Sequence, residues 1–148
     1  MSMNYEIVNL EQKIVVGVSE RIGNEDTQMS EKISNLWKVL YEEGVNEKIK
    51  NKVNEYAIGL YSEYDENSYC TTAGNEVLKS ENPDLTTKII PAGRYAKFSV
   101  HGNMVTAVVN AWEEIWKMDL DRSFTGDFEE YLNSDWENAD IDIYVALK

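Results

Sequence analysis

The residues with the clearest chemical potential lie in the segment FTGDFEEYLNSDWENADIDIYVAL near the C-terminus, where acidic and aromatic side chains are interleaved. In its first predicted strand, alternation places Glu129 and Tyr131 on one face, and Phe128 and Glu130 on the other. If Phe128 points into a hydrophobic layer, Glu130 lies at the fringe of that layer and Glu129 shares the concave side with Tyr131. An ionised carboxylate there is costly unless it is paired or hydrogen-bonded. Two interpretations remain: solvated carboxylates on an edge strand, or a pocketed Glu129 whose missing counter-charge comes from a cation.

Three of the four tryptophans lie among apolar residues at helical spacing, Trp37 in the first predicted helix and Trp112 and Trp116 in the second. That spacing alone favours a place in the hydrophobic core. Aromatic faces also attract a cation within about 6 Å, contributing roughly 0.5 to 2 kcal/mol each. With tyrosines and an acid on the facing strand, Trp112 or Trp116 is therefore also a candidate for contact with a ligand.

Other kinds of chemistry have little material in this sequence. One histidine, His101, and one cysteine, Cys70, exclude most thiolate and imidazole metal sites and Ser/His or Cys/His catalysis. The aspartates near the C-terminus lack the spacing of a calcium loop. The glycine-containing stretches do not form a phosphate-binding loop. We therefore expect no metal site, no catalytic residue of these types and no cofactor.

Charge and hydropathy limit the partners. The formal net charge is −13 and the sequence has no basic patch, so direct binding to nucleic acid is not expected. No apolar stretch approaches the roughly 20 residues needed to cross a bilayer, and a signal peptide is not evident. We expect a cytoplasmic protein that does not bind membranes.

A repeat with an offset of 82 residues organises the chain. Ile7 corresponds to Ile89, and Val16 to Phe98, in two copies of an apolar start, a turn and a strand. Pro91 and Gly93 mark the turn in the second copy. The conserved spacing predicts that the two halves have the same fold.

Each strand of the repeat leads into a helix and then into two further strands. The first helix carries apolar residues at helical spacing and is predicted to end at Gly44, and the second runs from about Asn103 to Met118. The following strands are predicted in EYAIGLYSEY and NSYCTTAGNEV, and again in DFEEYLNS and DIDIYVALK. The plan is therefore strand, helix, strand, strand, written twice.

The predicted fold class is α+β, with a duplicated β-α-β-β repeat around a pseudo-twofold axis. The halves, about residues 3–78 and 85–148, are joined by a polar linker. Neither half has the apolar content to be comfortably stable alone, so we expect one domain spanning 1–148. Two helices would lie on one face of a curved antiparallel sheet, with a groove between the halves.

The segments IPAGRYAKFSVHG, DFEEYLN and DIDIYVALK resemble the second half of the bacterial effector-binding domain family. This GyrI-like group includes ligand domains of AraC-type and MerR-type multidrug regulators and standalone integron-associated effector-binding proteins. Phe128, Glu129 and Tyr131 match the family's F-E-x-Y motif, and the ending from Asp142 matches its D-I-Y-I motif. Only the residue after the last motif departs, because the family usually has proline there.

The resemblance implies a fold of two such repeats and a pocket at the pseudo-twofold seam for lipophilic, often cationic, aromatic compounds. By motif, Glu129 would be the carboxylate that counters the ligand charge, with Tyr131 beside it and Tyr95 nearby. With Trp112 and Trp116 these form the predicted ligand-binding set. Since no DNA-binding segment precedes Tyr5, we expect a standalone sensor or sequestering protein for effectors, related to transcription regulation.

Two other functions are compatible with the same resemblance. Some GyrI-like proteins are hydrolases that open cyclopropane rings of genotoxic natural products, and Glu129 with Tyr131 could position water for that reaction. Others inhibit DNA gyrase, where an acidic surface could imitate DNA. A binding module is the leading hypothesis because it needs no catalytic group. A regulator or gyrase remains a possible protein partner.

Overall fold

The computed structural model describes residues 4–23, 27–79, 81–133, 135 and 137–148, without the side chains of 29 and 30. These residues form eight strands and three helices. In chain order they are β1 Glu6–Leu10, β2 Lys13–Gly23, α1 Met29–Glu42, α2 Val45–Lys48, β3 Lys52–Ser62, β4 Ser68–Val77, β5 Thr86–Ile90, β6 Gly93–Gly102, α3 Met104–Lys117, β7 Asp127–Tyr131 and β8 Ala139–Ala146.

All eight strands form one antiparallel, curled sheet in the order β1-β6-β8-β7-β3-β4-β2-β5. The order is symmetrical about the contact between β3 and β7, where the two halves of the chain meet. Strands β2, β3 and β4 of the first half match β6, β7 and β8 of the second. The predicted α+β class with a duplicated repeat is confirmed.

The register of the sheet explains the repeat in the sequence. Glu6 lies opposite Lys97 in the β1·β6 pair, and Val15 lies opposite Lys88 in the β2·β5 pair. These two pairs are related by the same 82-residue offset that relates Ile7 to Ile89. Equal spacing in the sequence therefore corresponds to equal hydrogen-bond register in the two halves.

The apolar start of each half is a strand of its own, which the predicted plan did not include. β1 pairs with β6 of the second half, and β5 pairs with β2 of the first. Each half is thus completed by a short strand from the other half, which ties the two together. The structure also adds the short helix α2, which begins after Gly44 at a left-handed φ of 73°. As predicted, the preceding helix ends before this glycine.

Both long helices pack on the same face of the sheet, which we call the helix-covered face. α1 contributes Leu36 and Leu40 to a cluster with Val16 and Ala73. α3 contributes Ala111, Trp112 and Ile115 to a cluster with Phe98 and Ile141 on β6 and β8. A third cluster fills the opposite face and includes Leu60, Tyr95, Phe128 and Tyr144. None of the helices in the described part of the chain is long and apolar enough to span a membrane.

Candidate functional site

Glu129 is the centre of a buried polar cluster between the two helices. Its side chain is 2% exposed. Its Oε2 atom accepts hydrogen bonds from the Trp112 indole Nε1 at 2.6 Å and from the Tyr61 hydroxyl at 2.9 Å. Its Oε1 atom accepts one from the Tyr131 hydroxyl at 2.5 Å. We call these four residues, together with Trp37, whose ring contacts that of Tyr131, the Glu129 cluster.

The sheet creates the space for this carboxylate by placing a glycine beside it. Gly59 on β3 lies directly opposite Glu129 on β7. A Cβ atom on Gly59 would lie 3.3 Å from Glu129 Oε1 and 3.2 Å from Trp37 Cζ2. Few real Cβ contacts are as short, so a larger residue would force the carboxylate or the indole ring to shift. The bare backbone therefore lets Glu129 and Trp37 lie over this point of the sheet.

The cluster sits on the pseudo-twofold axis, and its aromatic residues follow the symmetry. Tyr61 and Tyr131 come from equivalent positions of β3 and β7, and both donate to Glu129. Trp37 of α1 meets Tyr131 edge-on at 5.4 Å and 81°, and Trp112 of α3 meets Tyr61 at 5.8 Å and 88°. Each half thus supplies one tyrosine and one tryptophan, whereas the carboxylate comes from one half only.

Burial dominates the electrostatics of the cluster. Loss of solvation raises the pKa of the Glu129 carboxyl above its usual value, although the hydrogen bonds from Tyr131, Trp112 and Tyr61 act to lower it. Burial, with the charge of Glu129 beside them, also raises the pKa values of Tyr61 and Tyr131 well above the usual value. Both tyrosines therefore remain protonated donors when Glu129 is ionised.

A second buried carboxylate, two residues away on the same strand, is satisfied differently. Asp127 is fully buried and accepts hydrogen bonds from Tyr64 at 2.6 Å and from the Ala146 amide at 2.8 Å. Arg122 lies 2.6 Å from its Oδ2 atom, so the charge of Asp127 is neutralised within the chain. In the described part of the chain, no ion pair includes Glu129. The cluster is therefore a buried acid with three donors and no cation.

The structure brings together three of the five residues predicted to bind ligand: Glu129, Tyr131 and Trp112. Trp116 lies one turn further along α3, with its ring 6.3 Å from that of Trp112, and is 67% exposed. Tyr95 is not brought to this cluster. Its ring packs against Phe128 and Tyr144 on the opposite face of the sheet, and its hydroxyl donates to the Pro91 carbonyl.

The prediction missed Tyr61, Trp37 and Gly59. Tyr61 and Trp37 had a signal in the sequence, because the repeat makes Tyr61 the equivalent of Tyr131 and Trp37 the equivalent of Trp112. Gly59 is the positional equivalent of Glu129 itself, and only the strand register shows that the two residues meet.

A separate surface groove of about 440 Å³ runs between the end of β6 and the first turns of α3. Asn103, Thr106 and Glu114 are among its lining residues, and Glu129 is not. His101 at its rim contacts Asp140 at 2.7 Å. Among the described residues, no group of three or more histidine, cysteine or acidic side chains is arranged to hold a metal ion.

The family model of the integron-associated effector binding proteins matches residues 6–147, nearly the whole chain. A comparison with curated proteins gives no match.

Solved structures share the fold over almost their full length. SAV2435 bound to tetraphenylphosphonium has a TM-score of 0.84 at 19% identity, and the match covers 99% of this chain and 94% of that one. The integron cassette protein from the mobile metagenome of Vibrio cholerae has a TM-score of 0.78 at 25% identity, covering 97% and 95%. A Staphylococcus aureus protein described as a putative bacterial transcription regulation protein has a TM-score of 0.80 at 20% identity, covering 99% of both chains.

Proposed function

This chain belongs to the family of integron-associated effector-binding proteins, and we propose that its effector is a lipophilic aromatic cation held over Glu129 between the two halves. Family membership supports binding of a small molecule. The charge and aromatic character of that molecule are inferred from the site, and the tetraphenylphosphonium bound to the similarly folded SAV2435 is a compound of this class.

The observation that carries the proposal is the absence of a cation at Glu129 within the described part of the chain. Removing an ionised carboxylate from water is costly, and hydrogen bonds from neutral donors repay that cost only in part. The raised pKa of Glu129 is the consequence. A ligand with a delocalised positive charge would supply the missing counter-charge without the large desolvation cost of a compact ammonium ion.

The side chains around Glu129 suit such a ligand. Trp112 and Tyr61 are joined edge to face on one side of the carboxylate, as are Trp37 and Tyr131 on the other. Aromatic faces contribute about 0.5 to 2 kcal/mol each to the binding of a cation, with the larger values in dry sites. Two such pairs would enclose a multi-ring cation from both halves.

The rings around Glu129 close the site to solvent. Since Glu129 is 2% exposed, a ligand reaches it only if the rings above it move. Trp37 is only half-buried, and it lies over Gly59, where no side chain holds it from below. We propose that Trp37 moves to admit the ligand and that the three hydrogen bonds stabilise Glu129 before the ligand binds.

Isothermal titration with tetraphenylphosphonium and with neutral triphenylphosphine oxide tests the proposal. We expect saturable binding of one cation per chain, a clear preference for the cation, and quenching of tryptophan fluorescence from Trp37 and Trp112. The ligand should be recovered unchanged. Failure to bind tetraphenylphosphonium, or equal affinity for the neutral compound, would contradict the proposal.

A further inference from the structure

Two oxygen atoms on β4 are buried without a hydrogen-bond partner, as far as the described residues extend. They are Thr71 Oγ1 and Asn75 Oδ1, in side chains that are 2% and 4% exposed. Both side chains lie on the helix-covered face, because each is two positions away from Ala73, which packs in the cluster under α1. Native structures pair nearly all buried polar atoms, so two unpaired oxygens on one face of one strand require an explanation.

The register of the sheet relates these atoms to the Glu129 cluster. Gly59 on β3 pairs with Glu129 on one side and with Ala73 on the other. Thr71 and Asn75 therefore flank the far end of a short row that begins at Glu129. Two strand spacings, about 10 Å, separate the two ends. The residues between them are a glycine and an alanine, so no side chain larger than a methyl group projects from this floor of the sheet.

The covering of this floor comes from α1. The Trp37 ring lies over Gly59, within 3.2 Å of the position that a Cβ atom would take. Because Leu36 and Leu40 of α1 pack on Ala73, β4 is uncovered only if this part of α1 moves together with Trp37. The uncovered surface would then run from Glu129 across Gly59 to β4. The unpaired oxygens would then be exposed to the ligand.

Neither oxygen is explained by a role within the sheet. Asn75 already uses its amide group, since Nδ2 donates to the Tyr56 carbonyl at 2.9 Å, and its Oδ1 atom is the free end. Thr71 has no partner for its hydroxyl, whereas the adjacent Thr72, on the opposite face, is bonded to Ser19 at 2.9 Å. The two threonines are neighbours on one strand, but only the hydroxyl of Thr72 has a hydrogen-bond partner among the described residues.

We propose that the ligand site extends from Glu129 to β4, where Thr71 and Asn75, about 13 Å apart along the strand, each offer a buried oxygen to a hydroxyl or amine group of the ligand. The inference rests on the proposed function and narrows it to aromatic cations with a hydrogen-bond donor at the end remote from the charge. Asn75 Oδ1 can only accept, and the Thr71 hydroxyl can accept or donate, so each of them fits a donor group.

The test uses tetraphenylphosphonium and (4-hydroxymethylphenyl)triphenylphosphonium, which differ by one CH₂OH group. We expect the native protein to prefer the hydroxymethyl compound, and Thr71→Val to reduce that preference by about fivefold, the worth of one neutral hydrogen bond. Thr71→Val should change the affinity for tetraphenylphosphonium, which has no donor group, less than the affinity for the hydroxymethyl compound. The matched control, Thr72→Val, should leave the preference intact.

Thermal unfolding gives a readout that does not depend on ligand. Thr71→Val should keep or raise the melting temperature, because it removes an unpaired hydroxyl, and Thr72→Val should lower it, because it removes the hydrogen bond between Thr72 and Ser19. The inference is overturned if Thr71→Val leaves the preference unchanged or lowers the melting temperature as much as Thr72→Val does. If the native protein binds neither phosphonium compound, the proposed function has failed, and the inference fails with it.

Discussion

At the scale of single residues, the face of the strand on which a side chain lies decides whether it can reach Glu129. The alternation placed Glu129 and Tyr131 together on one face, and both belong to the Glu129 cluster. Tyr95 was included by resemblance alone. The repeat already contained the evidence against it, since Val16 and Phe98 are equivalent and both pack under the helices. Tyr95, at odd spacing from Phe98, must point to the opposite face.

Glu129 should make the stability of the protein depend on pH in a direction that is unusual for an acid. Because burial raises its pKa, the folded chain keeps this proton at pH values where the unfolded chain has lost it. The contribution to stability is therefore full below the unfolded pKa of about 4.5 and is lost as the pH rises through the folded pKa.

Glu129→Gln should remove this dependence. A tyrosine hydroxyl of the cluster can rotate to accept from the new amide, so the hydrogen bonds can be kept. Urea unfolding of both proteins from pH 4.5 to 8 measures the difference in unfolding free energy. We expect the glutamine variant to gain on the native protein as the pH rises. A constant difference in unfolding free energy across this range would mean that folding does not change the pKa of Glu129.

At the scale of the elements, the two long helices and the six strands β2–β4 and β6–β8 follow from periodicity, but the crossing of β1 and β5 does not. Five-residue strands such as β1 give a weak signal, and nothing local indicates which strand they will pair with. The pairing is decided by the register that completes both halves. For the same reason the meeting of Gly59 with Glu129 was beyond the sequence, although each residue was visible in its own strand.

The pairing of β2 with β4 depends on two facing glycines. Gly17 lies opposite Gly74, and a Cβ atom on Gly74 would lie 2.0 Å from the Val16 carbonyl oxygen. Because the obstacle is backbone, Gly74→Ala must shift the strand, and we expect it to lower the unfolding free energy by about 2 kcal/mol or more. Gly126→Ala is the control, since its nearest contact, Pro91 Cδ, would be at 3.4 Å. Equal stability of the two variants in urea unfolding would refute this account.

At the scale of the whole molecule, the duplicated fold is nearly symmetrical, and the carboxylate of Glu129 breaks that symmetry. The aromatic residues of the cluster come in matched pairs from the two halves, while one half has Glu129 and the other has Gly59 at the equivalent position. The seam between the halves was predicted from the repeat. The closed state of the site was not, because it depends on how the Trp37 ring packs over Gly59.

The central claim is that Glu129 selects ligands by charge, and the most direct measurement compares Glu129→Gln with Glu130→Gln. These adjacent substitutions remove the same charge from opposite faces of β7. Affinities for tetraphenylphosphonium and triphenylphosphine oxide are measured by titration for both variants and the native protein.

A charge-assisted interaction contributes about 1.5 to 3 kcal/mol, so Glu129→Gln should weaken cation binding roughly tenfold to a hundredfold and leave the neutral compound unaffected. Glu130→Gln should change neither affinity appreciably. Equal losses for the cation and the neutral compound with Glu129→Gln, or no loss for either, would contradict the account.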